Sequence, residues 1–90
     1  MSAISRNFII ANKRGLHARA AAKFVNAASN YEADIRVCYG GTEVCGTSIM
    51  GLMMLAAGKG STISVSAEGK DAGIAIEAIA NLVSNRFDED

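Results

Sequence analysis

Proline is missing from this 90-residue chain, histidine occurs once, cysteine occurs twice, and nine basic residues cancel nine acidic ones. Each shortage excludes something. Without proline, no helix start is stiffened by a ring-locked backbone. One histidine and two separated cysteines do not make a metal cluster, so neither a metal nor another cofactor is expected. A formal net charge of zero provides no broad field for nucleic acid or an anionic membrane. No apolar run approaches the ~18 residues of a membrane span, and the N-terminus has no basic segment leading into an apolar stretch of signal-peptide length. A cytoplasmic location is therefore expected. The chain also lacks a nucleophile elbow, a P-loop, a dinucleotide fingerprint and any placeable pair of carboxylates, which argues against an independent enzyme.

What remains is a small, apolar chain. Ninety residues, half of them hydrophobic, suffice for one domain over residues 1–90 with a single core, and are too few for a second. Phe8 and Ile10 alternate in a first strand at about residues 5–12, and a helix over 18–29 places Ala21, Phe24, Val25 and Ala28 on one face. Ile35 and Val37 mark a second strand. Gly40-Gly41 supplies a tight turn, and residues 42–45 return as the third strand. Cys38 and Cys45 then lie diagonally across this hairpin, roughly 7 Å apart or slightly less between Cβ atoms. That exceeds ordinary disulfide geometry, and free thiols suit a reducing compartment.

After Gly46, Thr47 or Ser48 is placed to cap a short helix through Leu55, which Gly58-Lys59-Gly60 should end. Ile63, Val65 and Ala67 face inward in a fourth strand. A last helix, with Asp71 as its expected cap, carries Ala72, Ile76, Ile79, Ala80 and Val83 on its apolar face. The order is βαββαβα. Alternating strands indicate an α+β fold in which three helices cover one face of the sheet. The pattern alone leaves ferredoxin-like and other split βαβ arrangements equally open.

The chemistry concentrates around His17, in the run Gly15-Leu16-His17-Ala18-Arg19. A glycine breaks the strand and the histidine stands where the helix begins. The positive end of a helix, with Arg19 close by, favours the uncharged imidazole as nucleophile. Once a phosphoryl group is attached, the backbone N–H groups of Ala18, Arg19 and Ala20 and the Arg19 fork are placed to bond its oxygens. Taken alone, a single histidine is more often a satisfied core or surface residue, and Arg19 a solvated helix residue. Their shared position at a helix start raises the functional reading.

The same run, together with the later Ser48-Ile49-Met50-Gly51-Leu52-Met53 followed by a Gly-x-Gly break and the Ser-Ala-Glu-Gly turn at 66–69, resembles the histidine-containing phosphocarrier (HPr) family of the phosphoenolpyruvate-dependent phosphotransferase system. The resemblance covers nearly the whole chain. It implies an HPr-like open-faced β-sandwich whose four-stranded antiparallel sheet has the order 1-4-2-3. It also implies phosphorylation of His17 on Nδ1 by enzyme I, relief by an enzyme IIA-type acceptor, and action as a monomeric cosubstrate without nucleic acid or membrane. In many family members proline follows the active-site arginine, whereas here Ala20 stands there. Some preorganisation of the first turn is lost, and one amide hydrogen is gained.

The apolar helix after Ser48 cannot bury every side. Leu52 and Leu55 are assigned to the core, and Ile49, Met50 and Met53 to a docking patch whose methionines repack readily against different partners. Lys23, with Lys13 and Arg14, is assigned to a mildly basic rim that orients an acidic partner. Ser48 is by default a helix cap. The resemblance adds that, in some bacteria, the matching serine is the target of an HPr kinase/phosphorylase. A competing reading is a regulatory binding module of the nitrogen-related branch that docks according to phosphorylation, and the presence of His17 is what distinguishes a carrier from it.

Overall fold

The computed structural model describes residues 3–89, so positions 1, 2 and 90 of the expected domain lie outside the described residues. Strand β1 (Ile4–Ile9) leads to helix α1 (Ala18–Ser29), then strands β2 (Asp34–Tyr39) and β3 (Thr42–Cys45). Helix α2 (Ile49–Met54), strand β4 (Thr62–Glu68) and helix α3 (Ala72–Ser84) complete the βαββαβα order, and a single turn at Arg86–Asp88 follows. The sheet is antiparallel throughout in the order β1-β4-β2-β3.

Period-two patterning decides which face is covered. Ile63, Val65 and Ala67 of β4 and Ile35 and Val37 of β2 are buried, whereas the residues between them are not. They meet Phe24 and Ala28 of α1, Leu52 of α2, and Ile76 and Ile79 of α3 in one continuous core. Burying a side chain of this kind contributes roughly 1.5–3 kcal/mol, so the three helices are held chiefly by this face. In the hairpin, Cys38 pairs with Glu43 and Arg36 with Cys45. The two cysteines are therefore diagonal neighbours, and both are free. Among the described residues, no helix is long and apolar enough to cross a membrane.

Three local expectations are corrected. Strand β1 stops at Ile9 rather than residue 12, because a turn begins at Asn12, whose carbonyl accepts the Gly15 N–H at 3.2 Å. Helix α2 ends before the Gly58-Lys59-Gly60 break: Leu55 is its C-cap and Ala56 takes a left-handed φ of 55°. Asp71 occupies the N-cap position of α3 but makes no cap bond, since its carboxylate accepts the Glu32 N–H at 2.8 Å and ties the α1–β2 loop to the start of α3.

Candidate functional site

The site is built where the turn after β1 meets the loop after α2. Gly15 adopts φ +63°, and a Cβ there would lie 2.4 Å from the Ala57 carbonyl oxygen and 2.7 Å from the Gly58 Cα. Only glycine fits both demands. Leu16 is buried and donates its N–H to Ala57 at 3.0 Å, which fixes where α1 starts.

His17 is the N-cap residue of α1 in extended conformation (φ −74°, ψ 178°), and its carbonyl accepts the Ala21 N–H at 2.8 Å. The N–H groups of Ala18, Arg19 and Ala20 therefore have no intrahelical carbonyl. The imidazole makes no cap bond to them. Ala18 and Arg19 are exposed, while the Ala20 methyl is fully buried.

The ring is held from the other side. His17 Nε2 lies 2.5 Å from Glu89 Oε2, and the two side chains are only 15% and 12% exposed. The segment after α3 covers the ring. Among the described residues, Nδ1 has no hydrogen-bond partner. The second Glu89 oxygen accepts from Asn12 Nδ2 at 3.1 Å, and the same Asn12 nitrogen donates to the Gly15 carbonyl at 2.8 Å. Two acceptors on one amide group fix its orientation, and Asn12, fully buried, is left with an Oδ1 that has no partner among the described residues. Burial by itself would raise the Glu89 pKa, but the bonds from Asn12 and His17 and the charges of His17 and Lys23 together outweigh it, leaving the carboxyl below its ordinary range.

Lys23 is not simply part of a solvated rim. Its Nζ donates to the Phe87 carbonyl at 2.7 Å. Phe87 is fully buried, and Arg86, Phe87 and Asp88 all take left-handed φ values of 55°, 54° and 61°. Each such residue costs roughly 1–2 kcal/mol, so the turn is maintained by the aromatic anchor and the polar contacts of Lys23 and Glu89. An open cleft of about 440 Å³ lies alongside, lined by Lys13, Arg14, Arg19, Lys23, Asp88 and Glu89. Four cations and two carboxylates there form a local positive field in a chain with no net charge.

At the start of α2, Ser48 Oγ accepts the Gly51 N–H at 3.0 Å. Leu52 and Leu55 are buried, whereas Ile49, Met50, Met53 and Met54 are exposed, Met50 to 69% and Met54 to 77%. Met54 joins the apolar patch although its sequence position did not single it out. Asn12 and Glu89 were also missed. Asn12 continues the inward phase of Phe8 and Ile10, so a polar side chain at an inward position was the available signal. Glu89 lies 72 residues from its partner, and no local pattern marks that contact.

The family pattern described as "PTS HPr component phosphorylation site" matches residues 4–85. Phosphocarrier protein HPr of Cupriavidus necator is 44% identical over 86 residues, covering 96% of this chain and 97% of that protein. Phosphocarrier protein NPr of Shewanella violacea is 43% identical over 89 residues, covering 99% and 98%. The crystal structure of HPr-C-His from Thermoanaerobacter tengcongensis superposes with a TM-score of 0.90 at 40% identity, covering 100% of this chain and 99% of that one.

Proposed function

The chain belongs to the HPr family of phosphotransferase-system phosphocarriers, and from that premise we propose that its one domain, residues 1–90, accepts a phosphoryl group on His17 Nδ1 from phosphorylated enzyme I and passes it to an enzyme IIA-type acceptor in the cytoplasm. The observation that carries the reading is the Nδ1 of the only histidine, without a partner among the described residues, at a helix start whose first N–H groups have no intrahelical carbonyl. Those N–H groups and the exposed Arg19 meet the phosphoryl oxygens. Carriage requires moderation, because stabilising the adduct by ~1.4 kcal/mol beyond donor and acceptor biases the exchange tenfold. A helix end beside an open cleft supplies moderate stabilisation, and the partner completes the positioning in each complex.

The exposed side chains of Ile49, Met50 and Met53 form the docking patch in this reading, with Lys23 and the neighbouring cations orienting an acidic partner face. Ser48 begins that patch. Its phosphorylation by an HPr kinase/phosphorylase would exchange a neutral cap for a dianion and weaken docking. Met50→Glu should raise the KM for the carrier in the enzyme I reaction by several-fold while the thermal transition stays native; an unchanged KM removes the patch from the account.

Incubation with enzyme I and labelled phosphoenolpyruvate tests the acceptor. The wild type should carry acid-labile label and His17→Ala none. Label retained by that variant contradicts the reading, whereas an unlabelled wild type that still binds phosphorylated partners favours a regulatory docking module.

A further inference from the structure

We infer that Glu89 is a positioning residue for phosphoryl transfer: from the segment after α3, its carboxylate holds the Nε2–H of His17 and leaves Nδ1 as the attacking nitrogen. The inference rests on the carrier reading of His17 and adds a residue that the site motif does not contain. Four observations bear on it. Glu89 Oε2 is 2.5 Å from Nε2, and both side chains are largely buried. A carboxylate accepts hydrogen bonds, so the nitrogen it faces is the one that carries the proton. Nδ1 is left without a partner among the described residues. The carboxylate is itself fixed by Asn12, which is anchored on Gly15, and by the Phe87 turn that Lys23 holds at its carbonyl. A ring set by a carboxylate that is in turn set by its own neighbours matches the logic of an oriented catalytic histidine.

The charge balance gives Glu89 a role beyond orientation. In the forward step the bond between phosphorus and the donor atom of phosphorylated enzyme I breaks, and its electron pair leaves with the donor. The Nδ1 lone pair forms the new P–N bond. No proton has to leave the ring, since Nε2 keeps its hydrogen, and the ring acquires imidazolium charge facing Glu89. The reverse step, toward the acceptor, discharges the same ring. An interaction that strengthens as charge develops speeds the forward step and, because it stabilises the charged adduct, opposes the reverse one, so its strength has to stay moderate. The surrounding cations prevent the carboxylate from repelling the incoming phosphoryl group outright: Lys13, Arg14, Arg19 and Lys23 line the cleft with Glu89 and Asp88.

A purely structural clasp would also place Glu89 here, and two variants separate the alternatives. Glu89→Ala removes the acceptor, whereas Glu89→Gln keeps an acceptor oxygen and loses the charge. Glu89→Ala should lower kcat/KM for phosphorylation by enzyme I about tenfold, and Glu89→Gln by about threefold, because a charge-assisted bond is roughly twice as strong as a neutral one. In proton NMR of the unphosphorylated protein, a protected Nε2–H resonance should be present in the wild type and Glu89→Gln and absent in Glu89→Ala. Equal rates for all three proteins, or no protected Nε2–H signal in the wild type, would overturn the inference. A wild type that enzyme I does not phosphorylate would instead overturn the carrier reading and the rate claim with it, while the Nε2–H signal still decides the contact.

Discussion

Helices α1 and α2 begin alike and are finished differently. Each opens on an N-cap residue in extended conformation, His17 for α1 and Ser48 for α2. Ser48 turns its hydroxyl onto the Gly51 N–H, whereas the His17 imidazole makes no such bond and is drawn to Glu89. Helix α2 is closed by its own sequence, while α1 is left with donors to spare. An uncapped start gives up about 1 kcal/mol of helix stability. That sacrifice is sensible where an anion has to arrive and leave, and it would be wasteful in α2, a six-residue helix with little cooperativity of its own.

Breaking the turn that sets α1 should have the largest effect on stability. Gly15→Ala forces a methyl against the Ala57 carbonyl at a left-handed φ, and a loss of about 2 kcal/mol or more is expected by chemical denaturation. Slower transfer should accompany it, because Leu16 and His17 follow the displaced backbone. Arg19→Ala sharpens the contrast from the chemical side. The exposed guanidinium has no ion-pair partner among the described residues, so the thermal transition should barely move while phosphoryl transfer slows about tenfold.

The caps themselves provide the third test. Ser48→Ala should cost about 1 kcal/mol, and His17→Ser should be about 1 kcal/mol more stable than His17→Ala, because serine supplies the cap that histidine withholds. Both His17 variants should be dead as carriers. Equal stability of the two would mean that the start of α1 is satisfied in some other way.

The smallest effect concerns acid. The Glu89 carboxyl is held below its ordinary value of 4.5, so its contribution to stability is complete above that value and disappears as pH falls through the lower folded-state value. Thermal melts of wild type and Glu89→Gln should differ near pH 7 and converge only at pH values below 4.5, as the lowered Glu89 carboxyl takes up its proton. A constant difference across that range would show that the charge on Glu89 contributes nothing to the fold.

Much of the architecture was legible because its causes are local. Strand β4 alternates so regularly that Ile63, Val65 and Ala67 identify the covered face, and Gly40-Gly41 sets the hairpin on which Cys38 and Cys45 stand diagonally. The strand order was open from pattern alone, and the family resemblance chose it. Failures came where a residue acts against type. Ala56 takes the left-handed conformation that a glycine was expected to provide. Asp71 gives its carboxylate to Glu32 in another loop instead of to its own helix.

The site divides in the same way. Gly15, His17, Ala18, Arg19 and Ala20 are consecutive in function and nearly so in sequence, and a short motif displays them together. The contacts behind them were not legible, since Asn12, Phe87 and Glu89, and the bond that Lys23 of the basic rim makes to Phe87, come together only after α3 has returned the chain to the start of α1. A buried asparagine on the inward phase of β1 was the one trace it left.

The most direct measurement of the central claim is to locate the phosphorus itself. Phosphorylate the protein with enzyme I and phosphoenolpyruvate, and record phosphorus and nitrogen NMR spectra on protein labelled with ¹⁵N in histidine. A single phosphorus resonance coupled to Nδ1 of His17, with Nε2 still protonated, is expected; phosphorus on Nε2, on Ser48 or on any other residue would overturn the assignment of His17 Nδ1 as the acceptor.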